Sequence, residues 1–305
     1  MLLFIIAGML CFAPKKELVA FRIGTEPKYI DYDLDMALKV LKGKFEQKGY
    51  RVGEFAYSGN LYPKELDDAK INIFVRGFIP FYDKRFSEDA VNVLYIHRLD
   101  NVVKQEFDNF DYYLTSQKVL YDKFKSDENL EYFGTDNISH ESIVGEYDCD
   151  VLYIFEYNIR SYWEFLKYND KNEVYSGSAF YNLSEKERRD LLKKCKVVTY
   201  SITHTGLDDS DYIPFALYDI MSYGKPVITN YNKKLAEKYN GILMYEDAND
   251  LMNVTINALK MPDRLREKMA LEYKEILDKE SVDISFIDKF KKKNKNIKGY
   301  LDNIN

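Results

Sequence analysis

Short runs of consecutive apolar residues punctuate the chain at Leu18–Ile23, Ile71–Val75, Val91–Ile96, Tyr112–Thr115 and Leu130–Phe133. They recur at Val151–Phe155, Val197–Ser201, Val227–Thr229 and Ile242–Tyr245. Runs this short, apolar on both sides of a pleat, predict strands buried on two faces. Between them the spacing changes. Leu34, Ala37, Leu38, Leu41 and Phe45 fall on one helical stripe, and Gly49 supplies a stop. Ser184-Glu-Lys-Glu187 reads as a capping box opening a helix that ends near Lys194. Ser116 can cap a helix from Gln117, Asp247 caps another, Pro262 opens one running towards Lys279, and Ser281–Phe290 fits a last helix. Alternating strands and helices predict an α/β chain with parallel sheets covered on both faces. The 305 residues suffice for two such domains. The polar, unpatterned stretch Asn137–Tyr147 marks the boundary, giving domains 1–142 and 143–282 and a terminal segment 283–305.

One stretch carries more than packing. Asp208-Asp-Ser-Asp211 is an acidic loop; Ile213-Pro214 leads into a short helix, Gly224 ends it, and Val227–Thr229 is a buried strand. The first-turn amides of Phe215, Ala216 and Leu217 then face outward at the positive end of the helix dipole, a place suited to a phosphate. Asp219 lies eight residues after Asp211. A carboxylate there can accept from the vicinal hydroxyls of a ribose. Together these describe a nucleotide pocket.

These residues resemble the group-1, family-4-like glycosyltransferases of the GT-B fold. The resemblance rests on acid–seven residues–acid followed by a small residue, Gly224 and Pro226-Val-Ile. The form Ile213-Pro-x-x-x-Tyr-Asp219-Ile-Met-x-x-Gly224 is closest to the spore-maturation-type branch. Val93–Asp100, Phe110–Ser116 and Tyr132-Phe-Gly-Thr-Asp136 resemble the family's first domain. The family usually carries glutamate at one or both acidic positions and often arginine where this chain has Ala216. The resemblance implies two Rossmann-like domains facing across a cleft, with the acceptor on the first and a nucleotide-sugar donor on the second. It implies a metal-independent hexosyl transfer, leaning towards retention, with the sugar nucleotide as substrate and no cofactor. It also implies a final helix returning to the first domain.

Three further residues acquire expected roles. Arg160 lies at the strand-to-helix turn after Val151–Phe155, where a guanidinium can clamp a pyrophosphate; Lys167 is a weaker candidate of the same kind. His97 and His204 each follow a strand end, where open α/β sheets place ligands. The expected catalytic set is Asp211, His204 and His97; the expected donor-nucleotide set is Asp219, Arg160, Ile213, Pro214, Phe215 and Ala216. Gly24–Tyr29 is an acceptor loop candidate and lacks a GxGxxG fingerprint.

Composition narrows the partners. With 46% apolar and 31% charged residues the chain is of soluble globular type, and a net charge of −6 implies no broad basic face for nucleic acid. The acceptor is then a glycan, a lipid-linked group or a protein. Cys11, Cys149 and Cys195 are widely spaced and fit a reducing, cytoplasmic setting with no disulfide framework; no metal-ligand spacing appears among the 3 histidines and 3 cysteines. Met1–Phe12 is apolar but short for a membrane span, and reads as a buried strand or an irregular start. The Lys289–Lys298 tail permits at most peripheral contact with an anionic surface. Two other readings stay open: a catalytically degenerate GT-B protein that only binds a nucleotide sugar, and a GT-B-shaped sugar-nucleotide epimerase.

Overall fold

The computed structural model describes residues 16–24, 30–56, 66–75, 90–97, 110–116, 121–122, 129–133, 147–155, 171–201, 214–279 and 285–290. The first domain holds β1 (Leu18–Ile23), α1 (Tyr32–Gln47), β2 (Arg51–Ala56), β3 (Ile71–Val75), β4 (Val91–Ile96), β5 (Tyr112–Thr115) and β6 (Leu130–Tyr132). Its six strands form one parallel sheet in the order β2-β1-β3-β4-β5-β6. The second begins with β7 (Cys149–Phe155), β8 (Asn172–Ser176), α2 (Gly177–Tyr181), α3 (Glu185–Lys194) and β9 (Cys195–Ser201). It continues with α4 (Phe215–Ser222), β10 (Val227–Asn230), α5 (Lys233–Lys238), β11 (Leu243–Tyr245), α6 (Ala248–Leu259) and α7 (Asp263–Lys279). Its five strands are also all parallel, in the order β11-β10-β9-β7-β8. A short α8 (Phe286–Lys289) follows.

The predicted apolar runs all become strands, and their burial explains why: every residue of β1, β3, β4 and β5 is shielded. The capping box at Ser184 and Glu187 forms, Asp247 accepts from the Asp250 amide, and Gly49 and Gly224 adopt positive φ at the ends of α1 and α4. Two strands lacked an apolar signal. β2 and β8 are sheet edges, and β8 (Asn-Glu-Val-Tyr-Ser) is only partly buried along its length. An edge strand has one covered neighbour, so its sequence need not be continuously apolar.

The cysteine expectation is corrected. Cys149 and Cys195 are directly opposed on β7 and β9, 4.3 Å apart at Cα, and are joined by a disulfide. They are separated by 46 residues, so only the strand pairing brings them together. The cytoplasmic assignment loses the support it drew from unpaired thiols. Cys11 and the apolar start lie outside the described residues, among which no helix is long and apolar enough to cross a membrane.

One apolar core runs without interruption through both domains, from Val19 and Phe45 to Phe215, Tyr273 and Phe290. Phe133, just past β6, is central to it. Its ring lies 5.3 Å from Tyr95 of β4, 5.5 Å from Phe215 of α4 and 6.5 Å from Phe286 of α8. α8 thus packs on the first domain, where the Phe290 ring lies tilted 5.1 Å from that of Tyr112 and the Tyr112 hydroxyl donates to the Lys289 carbonyl (3.1 Å). Phe133→Ala should cost about 3–5 kcal/mol in denaturant unfolding, from lost burial plus the cavity left behind. Phe133→Leu should cost markedly less, and equal small losses for both would show that this junction is not tightly packed.

Candidate functional site

The site is built around α4. Pro214 (φ −56°, ψ 143°) stands as its N-cap: its φ suits a helix, but its ψ is extended while its carbonyl accepts from the Leu217 and Tyr218 amides. The cap supplies no side-chain acceptor. An acceptor for the first turn arrives from the other domain instead. The Ala216 amide donates to Oδ1 of Asp33, on the first turn of α1, at 3.2 Å. The second carboxylate oxygen of Asp33 lies 3.0 Å from His97 Nε2, and neither side chain reaches solvent beyond a few per cent. The approach is a close contact of the two groups rather than an aligned hydrogen bond. His97 Nδ1 is 2.7 Å from the Tyr95 hydroxyl, which lies 3.1 Å from Ser116 Oγ. Asp33 thereby links the end of β4 to the start of α4.

Beside this contact, the Tyr32 hydroxyl donates to Asp219 Oδ2. The Tyr32 ring packs edge-on against Phe180 (5.0 Å) and Tyr200 (6.3 Å), with the Arg188 guanidinium 5.8 Å from its centre. Burial, and then the Asp219 charge, push the Tyr32 phenol well above its usual range, so it stays a donor. Farther out, Arg188 meets Asp35 at 3.2 Å and Lys39 meets Glu185 at 2.8 Å. The outer pair is about half exposed and contributes little.

Of the expected residues, the structure brings together His97, Pro214, Phe215, Ala216 and Asp219. The side chain of Asp219 is partly buried against Tyr32, and His97 is enclosed, with Nδ1 at the Tyr95 hydroxyl and Nε2 facing the Asp33 carboxylate. Arg160, Lys167, His204, Asp211 and Ile213 lie outside the described residues, as does 25–29 of the acceptor loop. The strands that lead to three of them are described. Phe155 and Ser201 are Cα partners at the ends of β7 and β9, where the strand order of the second sheet reverses. Open α/β sheets bind ligands in the crevice at that reversal. Arg160 follows the first strand end, and His204 and Asp211 follow the second.

Tyr32 and Asp33 were not expected from the sequence. A signal was present: Asp33 is four residues before Ala37 and eight before Leu41, so it extends the apolar stripe of α1 with a charge. A carboxylate on a buried stripe needs a partner of its own.

No family model and no curated protein matches the chain at the level of sequence. Its structure is similar to an alpha-glucosyltransferase in complex with UDP, with a TM-score of 0.58 at 12% identity over 90% of this chain and 100% of that one. An alpha-glucosyltransferase in complex with UDP and a 13-mer DNA containing an HMU base gives 0.61 at 10% identity over 90% and 98%. AviGT4, a glycosyltransferase involved in avilamycin A biosynthesis, gives 0.51 at 10% identity over 90% and 97%. The fold is GT-B.

The partly buried Asp219 has a measurable consequence. Burial raises its carboxyl above the usual aspartate range, against the lowering pull of the Tyr32 hydrogen bond and the Lys39, Arg188 and Arg189 charges. The folded protein therefore keeps this proton to higher pH than the unfolded chain. Asp219 loses stabilising effect as pH rises from about 4 through its raised value, and the loss is complete above it. Asp219→Asn stays neutral throughout. The melting temperature of the variant minus that of the wild type should rise across this window and then level off. A difference independent of pH would show that the carboxyl is not desolvated.

Proposed function

We propose that this protein is a metal-independent glycosyltransferase that takes a nucleotide sugar as donor. The observation that carries the reading is the second sheet of a GT-B fold, whose strand order reverses between β7 and β9, with α4, which carries Asp219, the next described helix after β9. On this reading Asp219 accepts from the ribose hydroxyls, and the first-turn amides of α4, after Ile213-Pro214, meet the diphosphate together with Arg160. Asp211 stands nearer the transferred sugar, with His204 and His97 in the cleft. The leaving group is a nucleoside diphosphate, whose developing charge helix amides and a guanidinium can stabilise without a metal. The resemblance to the family-4-like enzymes, and within them to the spore-maturation-type branch, favours retention of the anomeric centre.

Uridine diphosphate sugars are the donors to test first, because the alpha-glucosyltransferases of similar fold are described in complex with UDP. One of those complexes also contains DNA, yet this chain has a net charge of −6, which argues for a glycan, lipid-linked or protein acceptor. A second reading, a GT-B protein that binds without transferring, is favoured by one observation: both Asp219 and the Ala216 amide are engaged by side chains of the first domain.

The two readings separate at Asp211. If it faces the sugar, it acts where positive charge develops at the anomeric carbon, and Asp211→Ala should lower turnover on the order of a hundredfold while leaving affinity for the free nucleoside diphosphate nearly unchanged. Release of nucleoside diphosphate from the best-bound sugar nucleotide measures this, with and without candidate acceptors. Turnover should persist in excess EDTA; complete loss restored by Mg²⁺ or Mn²⁺ would contradict the metal-free mechanism. Tight donor binding with no turnover in the wild type would support the binding-only reading.

A further inference from the structure

One turn of one helix reaches both of the groups that the donor reading assigns to a nucleotide. Tyr32 places a hydroxyl on the Asp219 carboxylate, and its neighbour Asp33 places a carboxylate oxygen on the Ala216 amide at the start of α4. The chemistry corresponds part for part. A ribose offers hydroxyl donors to Asp219, and a diphosphate offers anionic oxygens to α4 amides. The turn that carries these groups is itself fixed, since Asp31 caps α1 by accepting from the Leu34 amide at 2.8 Å. Neither Tyr32 nor Asp33 is more than 1% exposed.

We propose that the first turn of α1 occupies the donor site of the second domain as an intramolecular stand-in for the nucleotide. Donor binding then exchanges Tyr32 and Asp33 for the ribose and the diphosphate. This rests on the nucleotide-sugar reading and adds an autoinhibitory contact to it. Nothing in the exchange requires new chemistry in the pocket: each hydrogen bond lost to α1 has a counterpart made to the ligand. Asp33 and Tyr32 regain water as they leave. Withdrawal of Asp33 also takes its carboxylate away from His97 Nε2, 3.0 Å distant, so occupation of the donor site and the surroundings of His97 are coupled through one carboxylate.

Apparent affinity falls by the fraction of molecules whose site is open. Variants that weaken the stand-in should therefore bind more tightly. Tyr32→Phe keeps the ring against Phe180 and Tyr200 and removes only the hydroxyl; Asp33→Asn keeps shape and removes the charge. Calorimetric titration with UDP and with UDP-glucose should show a gain of roughly tenfold for the double variant and a smaller gain for Tyr32→Phe alone. In the wild type, saturation with UDP should also speed hydrogen exchange at the first-turn amides of α1. Binding by the wild type with no gain in either variant, and no change in α1 exchange, would overturn the stand-in and leave the donor reading intact. No binding of either ligand by wild type or variants would overturn both. Because Tyr32→Phe preserves the packing, the inference stays testable if Asp33→Asn folds poorly.

Discussion

The Asp33 carboxylate has no access to water, yet it is held on one side by an imidazole of its own domain and on the other by the first turn of a helix in the next. An enclosed charge is tolerated only where partners replace its lost hydration. Two of the groups beside it lie just past β4 and at the start of α4, so this carboxylate favours the approach of the domains that delivers both. The apolar core continues across the same junction through Tyr32, Phe180, Phe133 and Phe215. Dispersion and burial supply most of the attraction there, and Asp33 with Tyr32 fixes which side chains meet.

That arrangement gives α4 two roles. As a structural helix it closes a β9–α4–β10 unit and buries Phe215, Ala216, Leu217 and Ile220. As a dipole it begins at a proline cap with no side-chain acceptor, in a domain whose sheet reverses its strand order between β7 and β9. A helix start without a local cap asks for an anion. In this structure Asp33 answers, and on the donor reading a diphosphate does.

Much of this was legible in the sequence, for reasons that differ from element to element. The buried parallel strands announce themselves because both faces are covered, and the N-caps of α3 and α6 and the glycine stops of α1 and α4 are short-range chemistry written in neighbouring residues. β2 and β8 were silent because an edge needs no continuous apolar run. The Cys149–Cys195 bond was invisible because 46 residues separate the partners and only strand pairing unites them. Tyr32 and Asp33 were missed for a related reason: their partners are 187 and 183 residues away, and no local pattern names them. The charge on the apolar stripe of α1 signals that Asp33 needs a partner, not which one. His97 was placed correctly at a strand end, but its enclosure by Tyr95 and Asp33 comes from tertiary packing.

The central claim is that α4 and Asp219 form a nucleotide site on a GT-B scaffold. Thermal unfolding in the presence of UDP, UDP-sugars and sugar nucleotides of other bases, against inorganic phosphate and free sugars, tests it most directly. A ligand that binds only the folded state at a hundred times its dissociation constant adds about 2.7 kcal/mol of stability. The account predicts a melting temperature that rises with concentration for at least one nucleoside diphosphate or its sugar, and a smaller or absent rise for phosphate and free sugar. No rise with any nucleotide across the panel, at concentrations that saturate ordinary sugar-nucleotide sites, would contradict it.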